Sequence, residues 1–172
     1  MPYYLKIETE SFGALTAQTG GDTVAKRLAN TNSSVAGDDF CYVYGFDFAV
    51  EQPHNQLQGN VMSQAHALHA MQFTLPDYEP LTANVLNVLA GQDVIQRATF
   101  NIAAVQEGKP VLLTQCTMEQ GMITHYAHRI TDQRHHDQSR QRGQVHLHMC
   151  FERINVEDHV AQTHGLLTTH MQ

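Results

Sequence analysis

The sequence predicts a mainly β protein in which two packed antiparallel sheets form a β-barrel, with one short α-helix on its flank. Three observations lead to this class: large apolar side chains alternate along 40–50, other stretches repeat that period of two, and a single stretch has helical periodicity. Because successive side chains of a strand point to opposite faces, a period of two indicates strands with one buried face. The length of 172 residues suits one domain with its own core, so we predict a single domain over 1–172.

The first part of the chain contains two strand patterns separated by a polar stretch. A first strand is predicted over 3–8, where Tyr, Leu and Ile alternate with polar residues. The stretch 9–39 is rich in Gly, Ser, Thr and Asn, and we expect one or two short strands near 13–18. The stretch 40–50 predicts one continuous strand with a large aromatic face, and Pro53 ends it because proline cannot donate to a ladder.

A long polar loop, another strand and the helix follow. The loop is predicted over 51–64 and the strand over 66–75, where apolar residues alternate again. Asp77 suits the N-cap of a helix and Pro80 suits its first turn, where no N–H is needed. Gly91 suits the C′ position that ends the helix. The apolar stripe between these signals consists of Leu81, Val85, Leu86, Val88 and Leu89.

Two long strand patterns make up the next part of the chain. Strands over 94–107 and 110–119 are predicted to form a hairpin with about three loop residues, Glu107-Gly108-Lys109. Gly121 predicts a bulge or bend before a further strand at 122–130.

The chain closes with a polar loop, a strand and a tail. The loop 131–143 combines histidines with three arginines and is predicted to be solvated. A last strand is predicted over 145–156, where Val, Leu, Met and Phe share one face. The remaining residues, 158–172, are predicted to be a polar C-terminal tail with a small apolar patch at Leu166-Leu167.

The composition argues against several functional classes. Hydrophobic residues make up 42% and charged residues 16%, as in a globular protein, and the net charge of −7 argues against a nucleic-acid-binding surface. No apolar run approaches the roughly 20 residues that span a bilayer, so we predict no membrane insertion. The start of the chain has no basic segment followed by an apolar one, so export would not use a classical signal peptide.

The three cysteines are predicted to be structural. Cys41, Cys116 and Cys150 are far apart, show no metal-ligand or redox spacing and lie in apolar strand patterns. This suits folding in a reducing compartment, and we predict the cytoplasm.

Twelve histidines raise the possibility of a metal site, which we consider as an alternative. His146 and His148 are two apart, so they share a face of a strand and are the candidate ligands. His66 and His69, like His125 and His128, are three apart, which places the members of each pair on opposite faces of a regular strand. Since no pair comes with a Cys or carboxylate set, the main prediction contains no metal and no other cofactor.

A catalytic reading finds little support in the sequence. Cys150 is expected to share the face of His146 and His148, which leaves a Cys/His dyad as an alternative. The chain has no Gly-x-Ser-x-Gly nucleophile elbow and no phosphate-binding loop with its lysine. We therefore predict no catalytic residues and a protein that is not an enzyme.

A series of short motifs carries a family resemblance. In chain order they are Ile7-Glu8 with Gly13-Ala14-Leu15-Thr16-Ala17, then Tyr44-Gly45-Phe46-Asp47-Phe48-Ala49-Val50, His66-Ala67-Leu68, Pro76-Asp77-Tyr78-Glu79-Pro80-Leu81 and Phe151-Glu152-Arg153-Ile154. In this order and with these gaps, 3–156 resembles the haemolysin-coregulated protein (Hcp) family, the tube subunit of the bacterial type VI secretion system. Two features depart from the family pattern: Tyr78 replaces a lysine, and the loop 131–143 is rich in His and Gln.

The resemblance implies a structural role. Hcp-like proteins form hexameric rings that stack into a tube inside a contractile sheath, and the tube is driven into a neighbouring cell. The implied partners are further copies of the chain, sheath and spike proteins, and effectors that ride in the ring. The implied location is the cytoplasm before firing and the outside afterwards, without a signal peptide.

The polar loop is the site we predict for contacts between stacked rings. Its interface residues are Pro53, His54, Asn55, Gln56, Gln58, Asn60 and Gln64.

Two other functions remain open at the level of the sequence: a monomeric β-barrel that binds a small ligand, and a divergent enzyme that depends on histidine or a metal. A monomer would elute near 19.3 kDa, whereas an enzyme would lose turnover on mutation of His146, His148 or Cys150.

Overall fold

The computed structural model describes residues 1–16, 35, 39–51, 67–68, 70–76, 79–130, 134 and 143–168. Within these residues the chain is dominated by antiparallel strands with one extended helix, which confirms the predicted class. The strands are β1 (Tyr3–Thr9), β2 (Gly13–Ala14), β3 (Cys41–Tyr42), β4 (Gly45–Asp47), β5 (Val50–Glu51), β6 (Ala67–Leu68), β7 (Met71–Pro76), β8 (Ile95–Gln106), β9 (Lys109–Arg129), β10 (Gln144–Asp158) and β11 (Thr163–Thr168), and the helix is α1 (Glu79–Gly91). No helix among the described residues has the length and apolar character needed to cross a bilayer.

Nine of the strands form one antiparallel sheet. Its order is β2-β1-β8-β9-β10-β7-β4, while β3 pairs with β1 and β11 pairs with β10. The long strand β10 therefore has two partners on one side: β7 along its first half and β11 along its second half. A separate two-stranded sheet joins β5 to β6.

The segment 41–47 closes the curled sheet by pairing with both of its edges. β3 lies against β1, and β4 lies against β7. Between them, the Val43 amide donates to the Tyr3 carbonyl at 2.9 Å and the Tyr44 amide to the Thr74 carbonyl at 2.8 Å. The predicted single strand over 40–50 is thus wrong, because the chain changes its pairing partner here and its side chains change direction. Cys41 and Val43, which the prediction placed on the face opposite the large aromatic one, are buried in the main core.

The aromatic residues of this segment still pack together at the closure. Phe46 lies 4.4 Å from Phe100 and 5.0 Å from Phe73 between ring centroids. Phe73 and Phe100 meet edge to face at 5.6 Å. Such pairs add roughly 0.5–1.5 kcal/mol beyond the area that they bury. The aromatic pattern in the sequence therefore marks the point where the sheet closes.

The main core lies inside the curled sheet, under α1. It receives buried side chains from β1, β7, β8, β9, β10 and the helix. Leu81, Val85 and Val88 of α1 are buried, whereas Leu86 and Leu89 of the predicted stripe are exposed. The Tyr126 hydroxyl of β9 is 2.8 Å from the Thr82 hydroxyl and fixes the helix to the sheet. A smaller cluster on the other face contains Tyr4, Val35, Phe40 and Ala103.

The helix ends one residue later than predicted. Gly91 is its last helical residue, and Gln92 takes the left-handed conformation with φ 51°. The Asp93 amide donates to the Val88 carbonyl at 3.0 Å and the Gln92 amide to the Leu89 carbonyl at 3.3 Å. These two bonds form a Schellman motif in which glutamine, not glycine, occupies C′.

The β8–β9 hairpin has a two-residue loop, shorter than predicted. Gln106 pairs with Lys109, and Glu107 and Gly108 have φ values of 50° and 76°. Two consecutive positive φ values are typical of the type I′ turn, whose twist matches that of the strands.

Strand β9 continues through Gly121, where a bulge or bend was expected, and its backbone is distorted next to this residue. The irregularities lie on either side: Gln120 has φ 54°, and the pairing with β10 shifts register between His148 and Met149. Met118 and Gly121 both face inward although they are three residues apart, so the alternation of inward and outward side chains shifts by one position here.

Candidate functional site

The predicted stacking residues lie outside the described residues. These are Pro53, His54, Asn55, Gln56, Gln58, Asn60 and Gln64. The structure does describe the residues that flank the segment that carries them. Val50 pairs with Leu68 and Glu51 with Ala67, so both ends of the segment 52–66 are held side by side.

Strand β11 forms an exposed edge of the sheet. The residues Thr163–Thr168, expected to belong to a polar tail, pair with β10 through six positions from Arg153 to Asp158. In the described part of the chain, no strand pairs with the other side of β11. Leu166 is 62% exposed on it. An unpaired edge with an exposed leucine is a surface on which another strand can add.

Asp158 holds the turn that leads into β11. Its carboxylate Oδ1 accepts hydrogen bonds from the Val160 amide at 2.8 Å and the Ala161 amide at 2.9 Å. These backbone donors, first Ala161 and then Val160, lower the pKa of Asp158 because they stabilise its charged form.

A row of charges crosses the outward face next to this edge. Arg97 pairs with Glu119 across β8 and β9, and Glu119 pairs with Arg153 across β9 and β10. Glu119 Oε1 is 3.0 Å from Arg97 Nη2, and its Oε2 is 3.5 Å from Arg153 Nη1. Because both arginines are more than half exposed, each pair contributes at most about 1 kcal/mol. The row makes this face polar without forming a catalytic arrangement.

The alternative metal ligands, His146 and His148, share the outward face of β10 as predicted. His146 Nδ1 lies 3.3 Å from the Thr74 hydroxyl on β7. His148 packs against His125 of β9, with 4.6 Å between ring centroids and 41° between ring planes. Within the described residues, no group of three or more His, Cys, Asp or Glu side chains is placed to hold a metal ion.

The histidine pair of β9 and β10 was not found from sequence spacing. His125 is directly opposite His148 because the register shift leaves Thr124 as an extra residue in β9. Partial burial, then His125 and His146, lower the pKa of His148 because each disfavours its charged form.

The three cysteines, of which only Cys150 belongs to the alternative Cys/His dyad, lie in different surroundings. Cys41 and Cys116 are buried, and burial raises the pKa of each thiol to about 12. Cys150 is half-buried on the face of His146 and His148 and pairs with Met122 of β9. The neighbours of the two buried thiols give no means of forming a reactive thiolate.

The described residues form a curled antiparallel sheet with one packed helix. Among them, the features open to other molecules are the β11 edge, on which no described strand pairs, and the charged row of Arg97, Glu119 and Arg153. The class that they define is a β-rich fold with surfaces suited to contacts with other molecules.

Comparison with solved structures identifies the fold as that of Hcp proteins. An Hcp protein crystal structure matches with a TM-score of 0.76 and 14% identity, over 99% of both chains. The Hcp1 protein from E. coli matches with a TM-score of 0.73 and 11% identity, over 98% of both chains. The secreted protein Hcp3 from Pseudomonas aeruginosa matches with a TM-score of 0.66 and 14% identity, over 99% of both. These matches confirm the resemblance at the level of fold.

Sequence comparison gives no such match. No protein-family model matches the chain, and no curated protein matches it. At the identities of 11–14% printed for these three structures, the likeness is one of fold.

Proposed function

We propose that this protein is a structural tube subunit of a type VI secretion system, which forms hexameric rings that stack into a tube. The observation that carries the proposal is the Hcp fold, matched over 99% of both chains with a TM-score of 0.76. The protein acts by assembly and not as an enzyme.

The free edge of β11 supports this proposal. Leu166 exposes 62% of its surface on a strand whose outer hydrogen-bonding groups face no strand of the described chain. An edge of this kind promotes aggregation unless it is covered, and a ring of identical subunits covers it in every copy. We assign β11 to the contact between neighbouring subunits of one ring.

The paired ends of the loop support a second contact, between rings. β5 and β6 pair with each other, so the residues that flank 52–66 are held side by side. A segment anchored in this way can reach a neighbouring ring while its own subunit stays folded. In this role its polar residues form hydrogen bonds with the next ring.

The remaining parts of the function follow from the same proposal. The subunit folds in the cytoplasm, and the assembled tube is exported by the secretion apparatus without a signal peptide. Its partners are further copies of the chain, the sheath and spike proteins, and effectors carried within the ring.

Negative-stain electron microscopy of the untagged protein tests the ring. We expect six-fold rings for the wild type and their loss in Leu166→Lys, which places a charge on the β11 edge. Leu86→Lys is the matched control, because Leu86 is 52% exposed but lies on a helix whose backbone is internally paired. Monomers of the wild type at every concentration would overturn the tube function. Intact rings of Leu166→Lys would overturn only the assignment of β11.

A further inference from the structure

The outward face of the sheet carries a pair of imidazoles that the tube function does not require. His125 and His148 are directly opposite each other on neighbouring antiparallel strands, and their ring centroids are 4.6 Å apart. The rings are tilted by 41° and are therefore not stacked face to face. Both side chains have access to solvent, since His125 is exposed and His148 is half-buried.

A local distortion of β9 creates this pair. The register shift leaves Thr124 unpaired in the ladder and turns His125 to the face of His148. The Thr124 hydroxyl donates to the His148 carbonyl at 3.3 Å, which links the two strands at the bulge. The backbone at this point therefore places both imidazoles on one face of the sheet, directly opposite each other.

Neither ring has another hydrogen-bond partner among the described residues. His146, two residues from His148 on the same strand, differs because its Nδ1 lies 3.3 Å from the Thr74 hydroxyl. The position opposite His148 on β7 is Gln72, and the one opposite Gln72 on β4 is Asp47. Asp47 does not join the two imidazoles in a described group of three His, Cys, Asp or Glu side chains placed to hold a metal ion.

We propose that His125 and His148 form a bis-imidazole site for a divalent transition-metal ion, with Cu²⁺ bound more tightly than Zn²⁺. Two nitrogens that bind one ion at about 2.0–2.1 Å each lie roughly 2.9 Å apart in the square-planar arrangement of Cu²⁺ and roughly 3.3 Å apart in the tetrahedral arrangement of Zn²⁺. Imidazole rings 4.6 Å apart between centroids are close enough for one nitrogen of each ring to reach such a separation. Imidazole is a ligand that these ions share, and affinities at such a site rise from Zn²⁺ to Cu²⁺. Water fills the remaining coordination positions.

Titration calorimetry with Cu²⁺ alone, on the untagged full chain at neutral pH, tests this site. We expect one tight binding event per chain, weakened by roughly 100-fold in His125→Asn and in His148→Asn, because either change removes the second, intramolecular ligand. His146→Asn is the matched control and is expected to keep the wild-type affinity. Thermal unfolding in the presence of a chelator establishes that the three variants are folded.

Electron paramagnetic resonance provides a second readout that does not depend on affinity. One equivalent of Cu²⁺ is expected to show coupling to two imidazole nitrogens in the wild type and in His146→Asn, and to fewer in the other two variants. The proposal is overturned if His125→Asn and His148→Asn bind Cu²⁺ like the wild type. It is equally overturned if His146→Asn loses as much affinity as they do.

Discussion

Replacement of Gly121 by alanine is expected to destabilise the fold strongly. A Cβ atom at this position would lie 2.3 Å and 2.5 Å from the Phe151 ring and 2.6 Å from the Cys150 carbonyl oxygen. Phe151 is only 1% exposed, so its ring cannot swing into solvent to make room. The backbone carbonyl cannot move without disturbing the pairing of β9 with β10.

The size of the effect follows from the cost of overpacking a core. Inserted carbon atoms cost about 1–3 kcal/mol where neighbours can adjust partly, and here both neighbours are held, so we expect about 3 kcal/mol. For a chain of this length, that loss lowers the melting temperature by about 6–12 °C.

Urea and thermal unfolding at one fixed protein concentration measure the change. Gly165→Ala is the matched control: it lies on β11, and a Cβ there meets nothing within 4 Å. Its free energy of unfolding is expected to stay within about 0.5 kcal/mol of the wild-type value. A Gly121→Ala variant as stable as Gly165→Ala would refute the reasoning.

A double mutant separates the steric clash from other effects. Phe151→Leu removes the ring atoms that the new methyl group meets and by itself costs about 1 kcal/mol. Combined with Gly121→Ala, it is expected to cost less than the sum of the two single changes, with a coupling of about 1 kcal/mol or more. Simple additivity would show that the ring is not the source of the strain.

Three further outcomes are expected. Gln92→Gly should raise the free energy of unfolding by about 1 kcal/mol in urea, because glycine takes the left-handed C′ conformation without a steric penalty; a loss of stability would contradict this. Since the folded-state pKa of His148 is lowered, its contribution to stability is complete above its ordinary pKa of 6.5 and is lost as the pH falls below it. Unfolding between pH 7 and pH 5 with a chelator should therefore depend less on pH in His148→Asn, and an unchanged pH slope would count against the assigned cause. Deletion of 54–62 should spare rings and impair tubes in electron micrographs, and tubes of wild-type length would rule out the stacking role.

The predictable part of the fold is the part in which one side of an element is buried. The alternation of 145–156 identified β10 because that strand presents apolar side chains to the core. The single strand predicted over 66–75 is wrong: the chain forms β6, which pairs with β5 in a separate sheet, and then β7 at Met71–Pro76, whose apolar side chains account for the alternation. The helix was found for the same reason, since Leu81, Val85 and Val88 face that core.

Strand β11 could not be found in this way. Five of its six residues are exposed, so neither face of Thr163–Thr168 requires apolar side chains, and the sequence shows no alternation. The segment is a strand because its backbone forms hydrogen bonds with β10. These bonds are non-local and do not produce a recognisable pattern in the sequence of the segment.

The pair of His125 and His148 likewise could not be predicted from a local sequence pattern. Regular spacing correctly placed His146 and His148 on one face, because both belong to an undistorted part of one strand. His125 lies opposite His148 only because β9 contains an extra residue, Thr124. A register shift of one position changes which side chains of two strands lie on the same face, so sequence spacing could not predict this pair.

The sequence by itself determined the mainly antiparallel β class and the position of the helix, because periodic burial is recorded directly in residue order. The likeness to Hcp proteins came from a series of short motifs in chain order. Tertiary structure alone decided where 41–47 changes partner, why Gly121 must lack a side chain, and which imidazoles face each other. The physical reason is that strand pairing and close packing join residues far apart in the chain. Their register is set by the whole sheet, and no local pattern contains it.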